Sequence, residues 1–157
     1  MKRAIIFTMG LFSLFKKKPP FNDPFFGELK YTAGKHASFF DGKKWFAPAS
    51  KEISVLIDAD AAGPVQAQYV FFSAVERDYA MLLAKIVPVI EDEFKNWKED
   101  FVIKDFTNEF SLENIHISKL DEVPLKWEIS YTSVHDLDHQ FTIDFEGMEP
   151  MGVMIDG

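Results

Sequence analysis

The densest group of reactive side chains lies in the segment from Ser133 to His139. It places two histidines and two carboxylates within five residues, at His135, Asp136, Asp138 and His139. Imidazole and carboxylate form a normal ligand set for zinc or manganese, so these four residues are the candidate metal ligands. In an extended strand, however, residues 135 and 139 lie about 13 Å apart, so a shared metal requires a turn between them. Because aspartate is a common turn former, we interpret the segment first as a hairpin loop without metal.

Other catalytic patterns have less support. Ser133 and His135 could belong to a hydrolase triad, but the Gly-x-Ser-x-Gly nucleophile motif is absent from the sequence. The eight glycines are scattered singly and form no phosphate-binding loop, and the chain has no cysteine for thiolate ligands or disulfides. Asp58 and Asp60 could bind a cation, but capping of the helix that follows is the preferred role. The sequence therefore predicts no catalytic residue and no cofactor, in a protein that is not an enzyme.

The charge is distributed unevenly along the chain. Residues 1–51 carry 10 Lys and Arg against 3 Asp and Glu, whereas residues 52–157 carry 7 against 22. An acidic surface attracts basic partners and repels nucleic acid, so we expect a basic protein partner and no nucleic acid. The carboxylates expected on the outer face of the long helix are the candidate contacts for that partner. They are Glu76, Asp78, Glu91 and Asp92.

One long amphipathic helix is predicted to support the rest of the chain. Within residues 63–97 the apolar side chains recur every three or four positions, the period of one helix face. Asp60 is expected to cap its free backbone N–H groups. Pro88 removes a backbone donor and clashes with the preceding turn. The pattern therefore predicts a helix at 65–87 that is kinked or broken near Pro88, followed by a shorter helix at 88–97.

Short segments of alternating apolar and polar residues on both sides of the helix predict β-strands. They are 25–31, 36–40, 43–47 and 52–58 before the helix, and 101–106, 109–118, 125–131, 141–146 and 151–155 after it. Asp41-Gly42 is interpreted as a hairpin turn, and a bulge or turn is expected near Glu113-Asn114. The predicted fold class is α+β: a mostly antiparallel, twisted sheet of about seven to nine strands, in two meanders, packed on the helix.

The first 20 residues form a separate segment. A basic start precedes an apolar run at 4–15, and three lysines and two prolines follow. The run is shorter than a membrane span, and it lacks the small residues of a signal-peptide cleavage site. We therefore expect an N-terminal appendage at 1–20 and one domain at 21–157, in the cytoplasm. Two alternatives stay open: contact of residues 4–18 with a membrane surface, and a natural translation start at Met9.

The order of several short motifs is more informative than any one of them. In chain order they are Phe26-Gly27-Glu28-Leu29, Asp41-Gly42 with Trp45, a strand at 53–58, Gly63-Pro64 with Gln66 or Gln68, a strand with Trp127, and a strand from His139 towards Ile155-Asp156-Gly157. This order resembles a group of small bacterial families of unknown function, built from a sheet and one long helix. Some of their relatives are similar to immunity proteins of polymorphic or contact-dependent toxin systems. The resemblance covers about residues 25–157 and implies no catalytic residues.

Three hypotheses for function follow from these observations. The first is a non-enzymatic protein-binding domain, and more specifically an acidic immunity-type inhibitor of a basic toxin. The second is a metal-dependent protein or enzyme that uses the histidines and aspartates of residues 135–139. The third is a membrane-peripheral protein anchored by residues 4–18.

Overall fold

A computed structural model describes residues 19–156 of the chain. The apolar run and lysines of the predicted N-terminal appendage lie outside the described residues. The strands and helices, in chain order, are Phe21–Asp23 (β1), Gly27–Ala33 (β2), Ser38–Phe46 (β3), Lys51–Asp58 (β4), Gln66–Phe94 (α1), Phe106–Glu109 (α2), Phe110–Ile117 (β5), Lys126–Ser133 (β6), Asp136–Glu146 (β7) and Glu149–Asp156 (β8).

The eight strands form one sheet in which the spatial order is the chain order. All neighbouring strands pair antiparallel except β4 and β5, which are parallel. A parallel pair cannot be joined by a tight turn, and α1 supplies most of the connection from β4 to β5. The predicted α+β class, with a mostly antiparallel sheet and one long helix, is confirmed.

The core lies between α1 and one face of the sheet. The buried side chains of α1 fall mostly at helical spacing along one stripe, which is the pattern of a helix packed on one side. Buried and less buried residues alternate in β4, where Ile53, Val55 and Ile57 are at most 1% exposed. The same alternation continues in β5 and β6. These residues belong to one hydrophobic cluster, so helix and sheet stabilise each other by excluding water from a shared core.

The helix is not divided at Pro88. It runs without interruption from Gln66 to Phe94, so the predicted separate helix at 88–97 is wrong. Pro88 is exposed and so is Ala84, whose carbonyl loses its partner; water can hydrate that group on the outer side of the helix. Ile86 and Ile90, both 0% exposed, hold the helix to the sheet on either side of the proline. A kink at this position stays a prediction.

The helix start also differs from the prediction. Asp60 does not cap α1: its carboxylate lies 2.8 Å from the Lys119 ammonium instead. The side-chain oxygen of Gln68 accepts a hydrogen bond from the backbone N–H of Val65 at 3.0 Å, the returning half of a capping box. A buried amide three residues inside the helix therefore replaces the expected carboxylate in front of it.

Asp41-Gly42 is not a hairpin turn. Both residues lie inside the nine-residue strand β3, which joins the two short strands predicted at 36–40 and 43–47. Gly42 pairs with Leu29, and a Cβ at Gly42 would come within 2.5 Å of the Leu29 side chain and 2.9 Å of the Glu28 carbonyl oxygen. Position 42 requires glycine because the neighbouring strand approaches so closely. The sequence pattern alone does not distinguish a glycine needed for such an approach from a glycine in a turn.

Three smaller differences concern strand boundaries. Phe21–Asp23 forms a strand that was not predicted. The strand predicted from residue 25 starts at Gly27, because Pro24–Phe26 form the turn from β1. The predicted strand at 101–106 is a loop that leads into α2. The irregularity expected near Glu113 is confirmed, because the register of β5 against β6 shifts between Leu112 and Asn114.

None of the helices within residues 19–156 combines the length and the apolar character that crossing a bilayer requires.

Candidate functional site

The histidines of the predicted metal cluster point to different partners. The turn between β6 and β7 is formed by Val134 and His135. His135 Nε2 lies 2.7 Å from Glu109 Oε2, and its ring packs edge-on against Phe101 with 4.9 Å between centroids. Two contacts therefore hold His135 against the last residue of α2 and the loop before α2.

The other three candidates, Asp136, Asp138 and His139, lie together at the start of β7. His139 Nδ1 lies 2.8 Å from each carboxylate oxygen of Asp136, and the Asp138 backbone N–H donates to Asp136 at 3.2 Å. The hydrogen bond from His139 holds the pKa of Asp136 below its usual value. In the part of the chain that the structure describes, no three His, Asp or Glu side chains are arranged to hold a metal ion. The geometry therefore gives the metal hypothesis no support.

The four acidic residues expected on the outer face of α1 do not form one open surface. Glu76 accepts a hydrogen bond from the Ala47 backbone N–H at 3.2 Å, and Glu91 accepts one from the Ile103 N–H at 2.8 Å. Asp78 is paired with its neighbour Arg77 at 2.6 Å, which lowers the pKa of the aspartate. Asp92 lies at a shallow cleft between α1 and β8. Three of the four carboxylates thus bind groups of their own chain.

A second group of carboxylates lies on the sheet face opposite to α1. His116, Glu128 and Asp144 pair directly across β5, β6 and β7, and Asp58 lies at the end of β4, diagonal to His116. The residues next to them in each strand point to the other face of the sheet. Among these, Ile117, Trp127 and Phe145 are buried under α1. We call Asp58, His116, Glu128 and Asp144 the acidic row.

His116 lies between two carboxylates of the acidic row. Its Nε2 is 3.1 Å from Asp58 Oδ1 and its Nδ1 is 3.4 Å from Glu128 Oε2. Because a carboxylate only accepts, the ring can donate to both oxygens at once only when both nitrogens carry a proton. Ser118 lies on the same side of β5 beside this pair, but its hydroxyl makes no hydrogen bond to His116, so the three residues do not form a triad.

Glu128 and Asp144 face each other across adjacent strands as like charges. Burial, and then the negative charge of Glu128, raise the pKa of Asp144. Among the described residues, Asp144 has no ion-pair partner within 4 Å. Both residues line a cleft of about 340 Å³ that also includes Glu146, Lys126 and Met151. The cleft therefore has more carboxylates than the cations around it can neutralise, and it can accept a cation from outside.

Asp144→Asn is expected to raise the free energy of unfolding by about 0.5 kcal/mol at pH 7, since like charges opposite each other in a sheet are destabilising. The pKa of Asp144 is higher in the folded than in the unfolded chain, so the ionised carboxylate lowers stability. This loss grows as pH rises through the folded pKa, and it vanishes below the unfolded pKa. Urea unfolding at pH 7 and near pH 3 measures the difference. Asp138→Asn, an exposed change on the same strand, is the control; a destabilised Asp144→Asn at pH 7 would contradict the mechanism.

Part of the acidic row was visible in the sequence. The alternation of Trp127 with Lys126 and Glu128, and of Phe145 with Asp144, places these charged residues on a wet face. The missing information was the register, because only strand pairing brings His116, Glu128 and Asp144 into one line.

Comparisons with known proteins add no relative to this description. No protein family, curated protein or solved structure matches the chain.

Proposed function

We propose that this chain is a non-enzymatic protein-binding domain, and more specifically an immunity-type inhibitor that binds a basic toxin through the acidic row. The observation that carries the proposal is the pair of like charges, Glu128 and Asp144, held side by side in a cleft where Asp144 has no ion-pair partner among the described residues. Such a pair lowers the stability of the free protein. A lysine or arginine side chain of a partner would remove the repulsion and gain two charge-assisted contacts.

The charge distribution and the sequence resemblance support the same function. Residues 52–157 hold most of the acidic side chains, so the domain attracts a basic protein over a distance comparable to the Debye length. The order of short motifs resembles bacterial families with relatives similar to immunity proteins. The absence of cysteine from the sequence fits a protein that acts in the reducing cytoplasm.

The test takes its probes from the neighbouring genes: each one that encodes a basic protein supplies a probe. Growth of cells that express the probe, with and without this chain, measures protection, and calorimetry of the purified pair measures the Kd. We expect protection, a Kd that weakens between about 50 and 300 mM salt, and about tenfold weaker binding for the double variant Glu128→Gln, Asp144→Asn.

The matched control is the double variant Glu76→Gln, Asp92→Asn, which removes the same charge from α1. We expect it to bind within about twofold of the unchanged protein. If the control loses affinity and the acidic-row variant does not, the interface is the helix face that the sequence predicted. If neither protection nor binding is observed, the inhibitor function is wrong.

A further inference from the structure

A second cleft, independent of the acidic row, lies between α1, α2 and the turn after β3. It has a volume of about 240 Å³. Its walls are mostly apolar: Pro48, Ala49, Leu83, Phe106, Phe110 and Leu112. A cavity of about 150 Å³ can hold a benzene molecule when its walls are apolar, so this cleft has room for one substituted ring.

The cleft wall contains a tyrosine, Tyr79, whose hydroxyl is hydrogen-bonded to a second tyrosine. Tyr79 lines the cleft and is 7% exposed, and its hydroxyl oxygen lies 3.1 Å from that of Tyr131, which is 0% exposed. The two hydroxyls carry two hydrogens, and the bond between them uses one. Neither hydroxyl has another hydrogen-bond partner among residues 19–156. When Tyr131 donates to Tyr79, the remaining hydrogen belongs to the residue that lines the cleft.

The charged group at the rim is already neutralised. The Lys51 ammonium lies 2.8 Å from Ser111 Oγ and 3.1 Å from Glu113 Oε1. An anionic ligand therefore finds no free cation at Lys51, whereas a neutral ligand meets apolar walls and one buried donor. When Tyr131 is the donor of the bond between the two hydroxyls, the Tyr79 hydrogen has no acceptor among the described residues, and this favours a ligand that brings one.

We propose that this cleft binds a neutral single-ring molecule that carries one hydrogen-bond acceptor for the Tyr79 hydroxyl. The site is separate from the acidic row and does not depend on the function proposed above, because its ligand is uncharged and its residues lie under α1 rather than on the opposite sheet face.

The test compares two probes of nearly the same shape, acetophenone, which has a carbonyl acceptor, and α-methylstyrene, which has none. Each is titrated into the full chain while backbone amide NMR signals of Leu83, Phe110 and Leu112 are followed. We expect saturable shifts at these positions with acetophenone and about tenfold weaker binding of α-methylstyrene. Shifts that do not saturate, or that occur elsewhere, would overturn the site.

Two variants separate ligand binding from a structural role. Tyr79→Phe keeps the ring and removes the donor, so it should weaken acetophenone about tenfold and leave α-methylstyrene unchanged. Ala80→Phe changes an exposed residue at the rim and should block both probes while the protein stays folded. Equal weakening of both probes by Tyr79→Phe, or binding that survives Ala80→Phe, would refute the proposal.

Discussion

Replacing Gln68 by alanine should lower the free energy of unfolding by about 3 kcal/mol, because three backbone groups lose their partner and each unpaired buried group costs about 1–3 kcal/mol. The side chain is 1% exposed. Its Nε2 donates to the carbonyl oxygens of Asp58 at 2.9 Å and Ser118 at 2.8 Å, and its Oε1 accepts from the Val65 N–H at 3.0 Å.

The position of these groups explains why the effect is large. Asp58 is the last residue of β4, and Ser118 directly follows β5, so Gln68 binds the ends of the only parallel pair in the described sheet. The same amide satisfies a free N–H at the start of α1. One side chain therefore fixes the helix to the two strands that it connects.

Urea unfolding measures the change, with Gln66→Ala as the matched control. Gln66 is exposed in the same helical turn, so its replacement should change the free energy of unfolding by less than about 0.5 kcal/mol. A loss below about 1 kcal/mol for Gln68→Ala would mean that water replaces the amide in these three hydrogen bonds.

Gln68→Glu tests the same site through pH. A carboxylate would still accept from Val65, but its second oxygen would face the carbonyls of Asp58 and Ser118 without a hydrogen to donate. Since only the protonated acid can donate there, the folded state should raise the pKa of the new carboxyl. The variant should therefore become more stable as pH falls through that raised pKa, whereas Gln68→Ala should not show this gain.

The sequence could predict the types of most elements but few of their contacts. Periodicity identified the helix and the strands of the second half, because the core imposes the same spacing that the pattern measures. Asp41-Gly42 misled the assignment because glycine serves both turns and close strand contacts. Pro88 was assigned a kink or break because the hydrogen bond that a proline removes can be deduced from the sequence. The packing of Ile86 and Ile90 against the sheet, which offsets that loss, depends on the tertiary structure.

The same distinction applies to the candidate site. Composition predicted a carboxylate surface, yet Glu76 and Glu91 are used by the backbone N–H groups of Ala47 and Ile103. These partners are 29 and 12 residues away along the chain, and no local pattern indicates them. The acidic row differs in this respect: the sequence placed Glu128 and Asp144 on a wet face, but their alignment with each other and with His116 depends on strand register.

Asp23→Ala is expected to lower the free energy of unfolding by a similar amount, about 3 kcal/mol, because hydrogen bonds to a charged group contribute about 1.5–3 kcal/mol each and relaxation recovers part of their loss. Asp23 is 5% exposed. Its Oδ1 accepts from the N–H groups of Phe25 at 2.8 Å and Phe26 at 2.7 Å, and its Oδ2 accepts from the Tyr69 hydroxyl at 2.6 Å.

This carboxylate attaches the first turn of the domain to the helix. Phe25 stacks on the Tyr69 ring with 5.0 Å between centroids, and Phe26 contacts Tyr69 and Phe72 edge-on. Tyr69→Phe removes only one of the three hydrogen bonds, so it should cost about 1.5 kcal/mol. Asn22→Ala, an exposed change on the same strand, should be nearly neutral and is the matched control.

Titration of Tyr69 distinguishes loss of this contact from general loosening of the fold. The hydrogen bond to Asp23, then burial and the aspartate charge, raise the pKa of Tyr69 from its ordinary 10.0 to about 12. Because the folded pKa is the higher one, the stability from this bond is complete below pH 10 and decreases as pH rises towards 12. Asp23→Ala should therefore gain one tyrosinate absorbance transition near the ordinary pKa, and the double variant with Tyr69→Phe should lack it. If Asp23→Ala ionises no tyrosine earlier than the unchanged protein, the Asp23–Tyr69 bond does not control this side chain.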